Sequence, residues 1–221
     1  DGATVAVKLL DERTASDPVA RARFSRECEL VGAFAHPSLV RLRARGRAGP
    51  GCDYLVMDLA DGPSLAERLA SGPPLDAAAA IQVLLAAADG LAVMHRAGWV
   101  HRDVKPENII LDADGRPRLL DFGLAARFGD AADARLTRAG FFVGTPLYLA
   151  PESLLGSDPS AAMDVYALGA ILYELVSGAP PFSGGTEAVL AQKTTRDPPP
   201  LEGPPRLAAL AAAALDREPA R

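Results

Sequence analysis

The residues best suited to chemistry stand in one run, His101-Arg102-Asp103-Val104-Lys105-Pro106-Glu107-Asn108, followed by Asp121-Phe122-Gly123. Two carboxylates, a lysine and an amide are the parts that phosphoryl transfer needs: a group to orient the attacking hydroxyl, oxygen ligands for a divalent cation, and positive charge on the phosphate. Mg²⁺ prefers hard oxygen ligands and keeps several waters, so one carboxylate and one amide from the protein suffice. Asp103 would accept the hydroxyl proton, Asn108 and Asp121 would hold the metal, and Lys105 would neutralise the phosphate in flight. Ile109-Ile110-Leu111 and Arg118-Leu119-Leu120 flank Asp112-Ala113-Asp114-Gly115, which reads as a strand–turn–strand hairpin. Such a ribbon puts both metal ligands at one end. Asp114, just before Gly115, is read as a turn residue and not as a third ligand.

Other elements must hold this loop. Thr4-Val5-Ala6-Val7-Lys8-Leu9-Leu10 is strand-like and rich in β-branched residues. From Arg21 to Phe34 an apolar stripe at Phe24, Cys28 and Val31 predicts a helix. Tyr54 to Leu59 reads as a buried strand. Beyond it helices dominate. Ser64-Leu65-Ala66-Glu67 is a capping box, and Asp76 to Ala97 is a long helix with Ile81, Leu84, Leu85, Ala88, Leu91, Ala92 and His95 on one face. Val165 to Ser177 is apolar nearly all round, as a central buried helix would be, and Leu207 to Leu215 is a last helix after a stiff Pro-rich loop. No internal repeat is present.

Composition narrows the function classes. The chain has 221 residues, of which 49% are hydrophobic and 23% charged, an ordinary balance for a folded globular protein. A net charge of −5 gives no electrostatic footprint for nucleic acid or an anionic membrane, and neither is expected as a partner. Cys28 and Cys52 lie far apart without a Cys/His cluster and are read as reduced thiols. No apolar run is expected to span a membrane; Val165 to Val176, interrupted by Glu174, is read as a buried helix. The expected compartment is the cytoplasm, with room for a membrane anchor outside this segment.

On these residues the chain resembles the eukaryotic-type (Hanks-type) serine/threonine protein kinases, in wording close to the bacterial members. Val5-Ala6-Val7-Lys8 looks like the strand whose lysine holds the α- and β-phosphates, and Glu27 matches the helix glutamate that pairs with it. Glu29 lies about 200° away round the helix, so only one of the two can face the cleft, and spacing from Phe24 favours Glu27. His101 to Asn108 matches the catalytic loop, Asp121-Phe122-Gly123 the metal-binding turn, and Ala150-Pro151-Glu152 the end of the activation segment. Asp164 matches the buried aspartate that braces the catalytic loop, and His101 a support for the metal-binding turn. The motifs keep the family's order from residue 4 to Phe182, where Gly178-Ala179-Pro180-Pro181-Phe182 closes the set. Lys105 and Gly144-Thr145-Pro146-Leu147-Tyr148 resemble the serine/threonine branch, in which the threonine bonds the base and the lysine.

The resemblance implies an α+β, two-lobed fold: a truncated small lobe over 1–57, a hinge over 58–62 and a helical large lobe over 63–221. It implies ATP and Mg²⁺ (or Mn²⁺) between the lobes, and transfer of the γ-phosphate to Ser/Thr hydroxyls of protein substrates. Met57 would be the gatekeeper, Asp58 and Ala60 would offer backbone groups to the adenine edge, Ala6 and Leu111 would sandwich the ring, and Glu107 joins the nucleotide-facing set. Thr137, between Arg135 and Arg138, is the expected phosphosite, with Arg102 as its partner and self-association as a route to autophosphorylation.

Two departures stand out. No GxGxxG precedes Lys8, which is expected of a segment from a longer protein and would make this segment alone a poor binder of ATP. An arginine to pair with Glu152 is expected at Arg221 or just beyond. A pseudokinase scaffold would have lost Lys8, Asp103 or Asp121. A small-molecule phosphotransferase would lack the Gly-Thr-Pro…Ala-Pro-Glu segment.

Overall fold

A computed structural model describes residues 2–10, 16–49, 52–129 and 146–218. Its first part is a three-stranded antiparallel sheet in the order β1-β3-β2, formed by β1 (Val5–Leu10), β2 (Leu42–Gly49) and β3 (Cys52–Asp58). Ala6 is paired with Met57 and Lys8 with Leu55, so these four residues share one sheet face. Helix α1 (Pro18–Ala33) packs beside the sheet. It starts where Asp17 accepts a 2.9 Å hydrogen bond from the Val19 N–H and Pro18 takes the first helical position, where no N–H is needed. Its buried stripe is Phe24, Glu27, Cys28, Leu30 and Val31, with Glu29 on the exposed side.

The second part is mostly helical. Helix α2 (Leu65–Ser71) opens on the expected capping box: the Glu67 N–H donates to Ser64 Oγ at 3.1 Å and the Ser64 N–H to Glu67 Oε2 at 2.7 Å. Helix α3 (Ala77–Arg96) is capped by Asp76, which accepts from the Ala79 N–H. There follow β4 (Trp99–Val100), a 3₁₀ turn (Pro106–Asn108), the hairpin β5 (Ile109–Leu111) and β6 (Pro117–Leu119), and β7 (Ala126–Arg127), which pairs with β4. Short α4 (Pro151–Leu154), α5 (Ala161–Ser177), α6 (Thr186–Thr195) and α7 (Pro205–Ala214) complete the described chain.

Alanine content makes α3 more apolar than the sequence reading allowed. Among the described residues it is the one helix long and apolar enough to cross a membrane, which corrects the expectation that no run reaches that length. Its packing gives the physical reason for that composition. Ala80, Ala87, Leu91 and Met94 are fully enclosed, and the helix lies against both α5 and β6 in the main core. Helix α5 is central as expected, with Ala170, Ile171 and Leu175 wholly buried.

Two backbone seams join the parts. Residues 38–40 pair with β6 through Val40 N–H to Leu119 O (3.1 Å) and Leu119 N–H to Ser38 O (2.8 Å). Beyond β3 the connecting segment runs so close to β5 that the Leu111 N–H donates to Pro63 O at 2.9 Å. At Gly62 a Cβ would fall 1.8 Å from the Leu111 carbonyl oxygen, so only glycine permits the approach. Gly62→Ala should therefore cost about 1–3 kcal/mol, the usual penalty for overpacking. Gly49→Ala, where nothing lies within 4 Å, should be close to neutral. Urea unfolding of the two variants compares them directly, and equal midpoints would contradict this account.

Candidate active site

The stretch that begins at His101 is held from below by one carboxylate. Asp164, on the first turn of α5 and 1% exposed, accepts from the His101 N–H (2.9 Å), the Arg102 N–H (2.8 Å) and His95 Nε2 (2.7 Å). Arg102 sits at φ 67°, a left-handed conformation that costs a non-glycine residue on the order of 1–3 kcal/mol. The two backbone bonds to Asp164 hold the chain there. His101, fully buried, bonds Leu120 O through Nε2 at 3.1 Å, and its ring packs tilted against Phe122. The histidine thus supports the turn that carries Asp121.

That scaffold brings together two groups of side chains. In the first, Lys105 Nζ donates to Asp103 Oδ1 (2.9 Å) and Oδ2 (2.8 Å), and Asn108 Nδ2 donates to Asp103 O and Oδ2, both at 2.8 Å. Asn108 spends both amide hydrogens on Asp103, so its Oδ1 is left as the atom able to meet a cation. In the second group, Lys8 Nζ donates to Glu27 Oε2 at 2.6 Å and to Asp121 Oδ1 at 3.2 Å. The Gly123 N–H also bonds Asp121 Oδ1, which leaves Oδ2 available. Asp121, like Arg102, is left-handed, at φ 62°. The two groups meet across the hairpin, because the Leu120 N–H donates to Asn108 O at 2.9 Å. Hard oxygens from one amide and one carboxylate suit Mg²⁺ or Mn²⁺, and Asn108 and Asp121 supply that donor set.

Charge keeps the second group polarised. Burial pulls the Lys8 ammonium down, but the charges of Asp121 and Glu27 and its hydrogen bonds to them outweigh it and hold it above the ordinary lysine value. Burial pushes Asp121 up, and Lys8 and the Gly123 N–H more than offset that, so the carboxyl stays below its usual range. Glu27, 2% exposed, is held above the glutamate range by burial, with Lys8 opposing.

The remaining expected residues fall into place unevenly. Ala6 and Met57 are register partners on the Lys8 face of the sheet. The Asp58 N–H is spent on Arg41 O at 2.9 Å and its Oδ1 on Arg43, so the N–H is not open to a ligand. Ala60 follows β3 in the connecting segment, and Leu111, part-buried, ends β5. Glu107 is exposed on the 3₁₀ turn, where its charge adds to the upward push on Tyr148 and Glu174. Asp112, not Asp114, bonds the hairpin turn, accepting from the N–H groups of Asp114 and Arg116. Asp114 is exposed and bridges Arg116 at 3.7 Å. Thr137, Thr145, Arg135, Arg138 and Arg221 lie outside the described residues. Among the described residues Glu152 Oε2 is buried without a hydrogen-bond partner.

Sequence reasoning missed Lys193. It lies on α6 and is fully buried, and its Nζ donates to Leu147 O (2.6 Å) and Leu149 O (2.7 Å). It also missed Arg26, whose Nη1 bonds Ala125 O at 3.1 Å and ties α1 to the stretch after Asp121-Phe122-Gly123. Neither carries a sequence signal beyond a basic residue in a helix.

The sequence pattern of the family described as "Protein kinase domain" matches residues 1–206. The chain is 45% identical over 201 residues to serine/threonine-protein kinase PkaA of Streptomyces coelicolor, covering 89% of this chain and 36% of that protein. It is 45% identical over 211 residues to PkaB of the same organism, covering 91% and 49%. To PknL of Mycobacterium tuberculosis it is 38% identical over 222 residues, covering 98% and 55%. The chain thus spans between about a third and just over half of these relatives' length.

The Lys8–Glu27 pair makes a pH-dependent prediction. A glutamate whose folded value lies above its unfolded value of 4.5 costs stability once ionised, and that cost is relieved as pH falls. Lys8→Met removes the cation that offsets the cost. The stability deficit of this variant relative to wild type should shrink as pH is lowered from about 7 to about 5. Denaturant titrations at the two pH values measure it, and a constant deficit would refute it.

Proposed function

The chain belongs to the protein kinase domain family, and we propose that it transfers the γ-phosphate of ATP to serine and threonine hydroxyls of proteins. The observation that supports this most is the simultaneous contact of Lys8 with Glu27 and with Asp121. That lysine–glutamate pair and the metal-binding aspartate must both be in place for phosphoryl transfer in this family, and here one ammonium touches both. A partner-binding scaffold needs neither contact, so nothing in the geometry favours that reading.

In this reading ATP lies under the Lys8 face of the sheet, with Lys8 on the phosphates and the adenine between Ala6 and Leu111. The end of β3 and the segment after it would offer backbone groups of Asp58 and Ala60, and Met57 would border the pocket. Asn108 Oδ1 and Asp121 Oδ2 would hold Mg²⁺, which supplies charge neutralisation on the phosphates. Asp103, fixed by Lys105 and Asn108, orients the acceptor Oγ–H. A bond forms between that oxygen and the γ-phosphorus as the bond from phosphorus to the β–γ bridging oxygen breaks. ADP leaves, and the hydroxyl proton passes to the Asp103 carboxylate. Lys105, 2.8 Å from Asp103, stands where it can balance charge on the moving phosphoryl group. Thr145 is assigned as the bond between base and segment, and Thr137 as the regulatory phosphate acceptor read by Arg102, reached through transient self-association. The reaction is placed in the cytoplasm, where ATP is available.

The test is labelled transfer from γ-³²P-ATP with Mg²⁺ by the full-length protein. Asp103→Asn should lower transfer by at least about 100-fold, the lower end for loss of a positioned general base, with ATP affinity retained. Acid hydrolysis of the labelled acceptor should yield phosphoserine and phosphothreonine. Undiminished labelling by an intact Asp103→Asn protein would sink the reading.

A further inference from the structure

Where residues 38–40 pair with β6, the surface opens into a cavity of about 290 Å³. Pro37 and Leu39 give it apolar lining, and His36, Arg41, Asp58 and Arg118 supply the polar groups. Neither the Lys8 group nor the Asp103 group of side chains borders it. Asp58 is shared with the residues assigned to the nucleotide.

The polar groups are mostly donors with nothing to meet. Arg41 is exposed, and its guanidinium has no hydrogen-bond or ion-pair partner among the described residues. Arg118 is half-buried, and its Nε stands 3.5 Å from Asp112, which leaves both of its Nη groups without a hydrogen bond among the described residues. At His36 the Nδ1 accepts from the Ser38 N–H at 3.2 Å, so a neutral ring carries its proton on Nε2, as a donor. The two carboxylates close by are already held by arginines, Asp58 by Arg43 and Asp112 by Arg118. Three guanidinium groups therefore stand against two carboxylates, a local positive balance in a chain whose net charge is −5.

A guanidinium presents a planar fork of donors that matches the oxygens of a phosphate two at a time. Arg41 and Arg118 line one cavity from the two strands joined at the seam, Arg41 just before β2 and Arg118 on β6, three positions before Asp121. The volume lies at the lower end of the range for small-molecule sites, with room for a phosphate on a short carbon chain and not for a nucleoside triphosphate.

We propose that this cavity binds a small phosphate-bearing molecule, held by Arg41 and Arg118 with His36 as a third donor, and that the bound phosphate clasps the small sheet to the hairpin. Two sources share that chemistry, inorganic phosphate and a short-chain phosphate monoester. The site goes beyond the kinase reading and does not rest on it, since its occupancy is read by binding alone.

The test is isothermal titration of the full-length protein in phosphate-free buffer without nucleotide. Inorganic phosphate and glycerol 3-phosphate are the probes, and malate serves as a dianion without phosphorus. At least one phosphate probe should bind one molecule per chain with a Kd below about 1 mM, and the tighter of the two identifies the source. Arg41→Gln and Arg118→Gln should each weaken binding about tenfold or more, about 1.4 kcal/mol, whereas Lys8→Met should leave it within about twofold. No saturable signal from either phosphate probe at about 10 mM overturns the proposal. So does equal affinity in wild type and Arg41→Gln, or tighter binding of malate than of both phosphates. Loss of binding in Lys8→Met also overturns it, because the phosphate then sits on the nucleotide side. Arg41→Gln decides alone if Arg118→Gln does not fold, since the exposed Arg41 guanidinium holds no other described residue.

Discussion

Removing Asp164 would leave three donors, the N–H groups of His101 and Arg102 and the His95 ring, pointing at an empty space in the middle of the protein. Each bond to a carboxylate contributes about 1.5–3 kcal/mol, and a buried donor left unmet costs comparably. That sum exceeds the cost of holding Arg102 in a left-handed conformation, so the loop stays bent rather than relaxing outward. The bend in turn sends Asp103, Lys105 and Asn108 toward one another. The arrangement of Asp103, Lys105 and Asn108 depends on α5 presenting that carboxylate from its first turn.

A second dependence runs through Lys8. Its partners come from different parts: Glu27 from α1 and Asp121 from the turn after β6. The backbone seams at residues 38–40 and at Gly62 bring the sheet and the hairpin into contact at fixed places, and the lysine closes the gap between them. Helix α1 must turn its Glu27 side inward for this, which the buried run Phe24, Cys28 and Val31 enforces through ordinary apolar packing.

Much of this was legible in the sequence because the decisive residues are of rare type in fixed order. Helix boundaries at Asp76 and Ser64 could be read from their caps, and Glu27 could be chosen over Glu29 from its angle to Phe24. What escaped was structure that depends on partners distant in the chain. Strand β2, Leu-Arg-Ala-Arg-Gly-Arg-Ala-Gly, has neither the alternation nor the β-branched content of a strand, and it exists because β3 offers it an edge. Helix α6 has a weak apolar pattern, so neither it nor the burial of Lys193 shows in one dimension. The Ala-rich α3 illustrates the opposite limit, since composition alone cannot distinguish a helix buried by protein from one buried by lipid.

The hairpin β5–β6 has a consequence for any cation it serves. Asn108 lies at its start and Asp121 just past its end, and a single cross-strand bond from Leu120 to Asn108 ties the two positions. A tilt of the ribbon would carry the two backbone positions together, and a change in the gap between their oxygens would then need rotation of the side chains. Ions of different radius would then be accommodated by exchanging or shifting their own waters and by small turns of the two side chains, with the backbone left in place. Tolerance for more than one hard divalent ion would then lie largely in the solvent shell, held against a backbone edge that a single bond ties together.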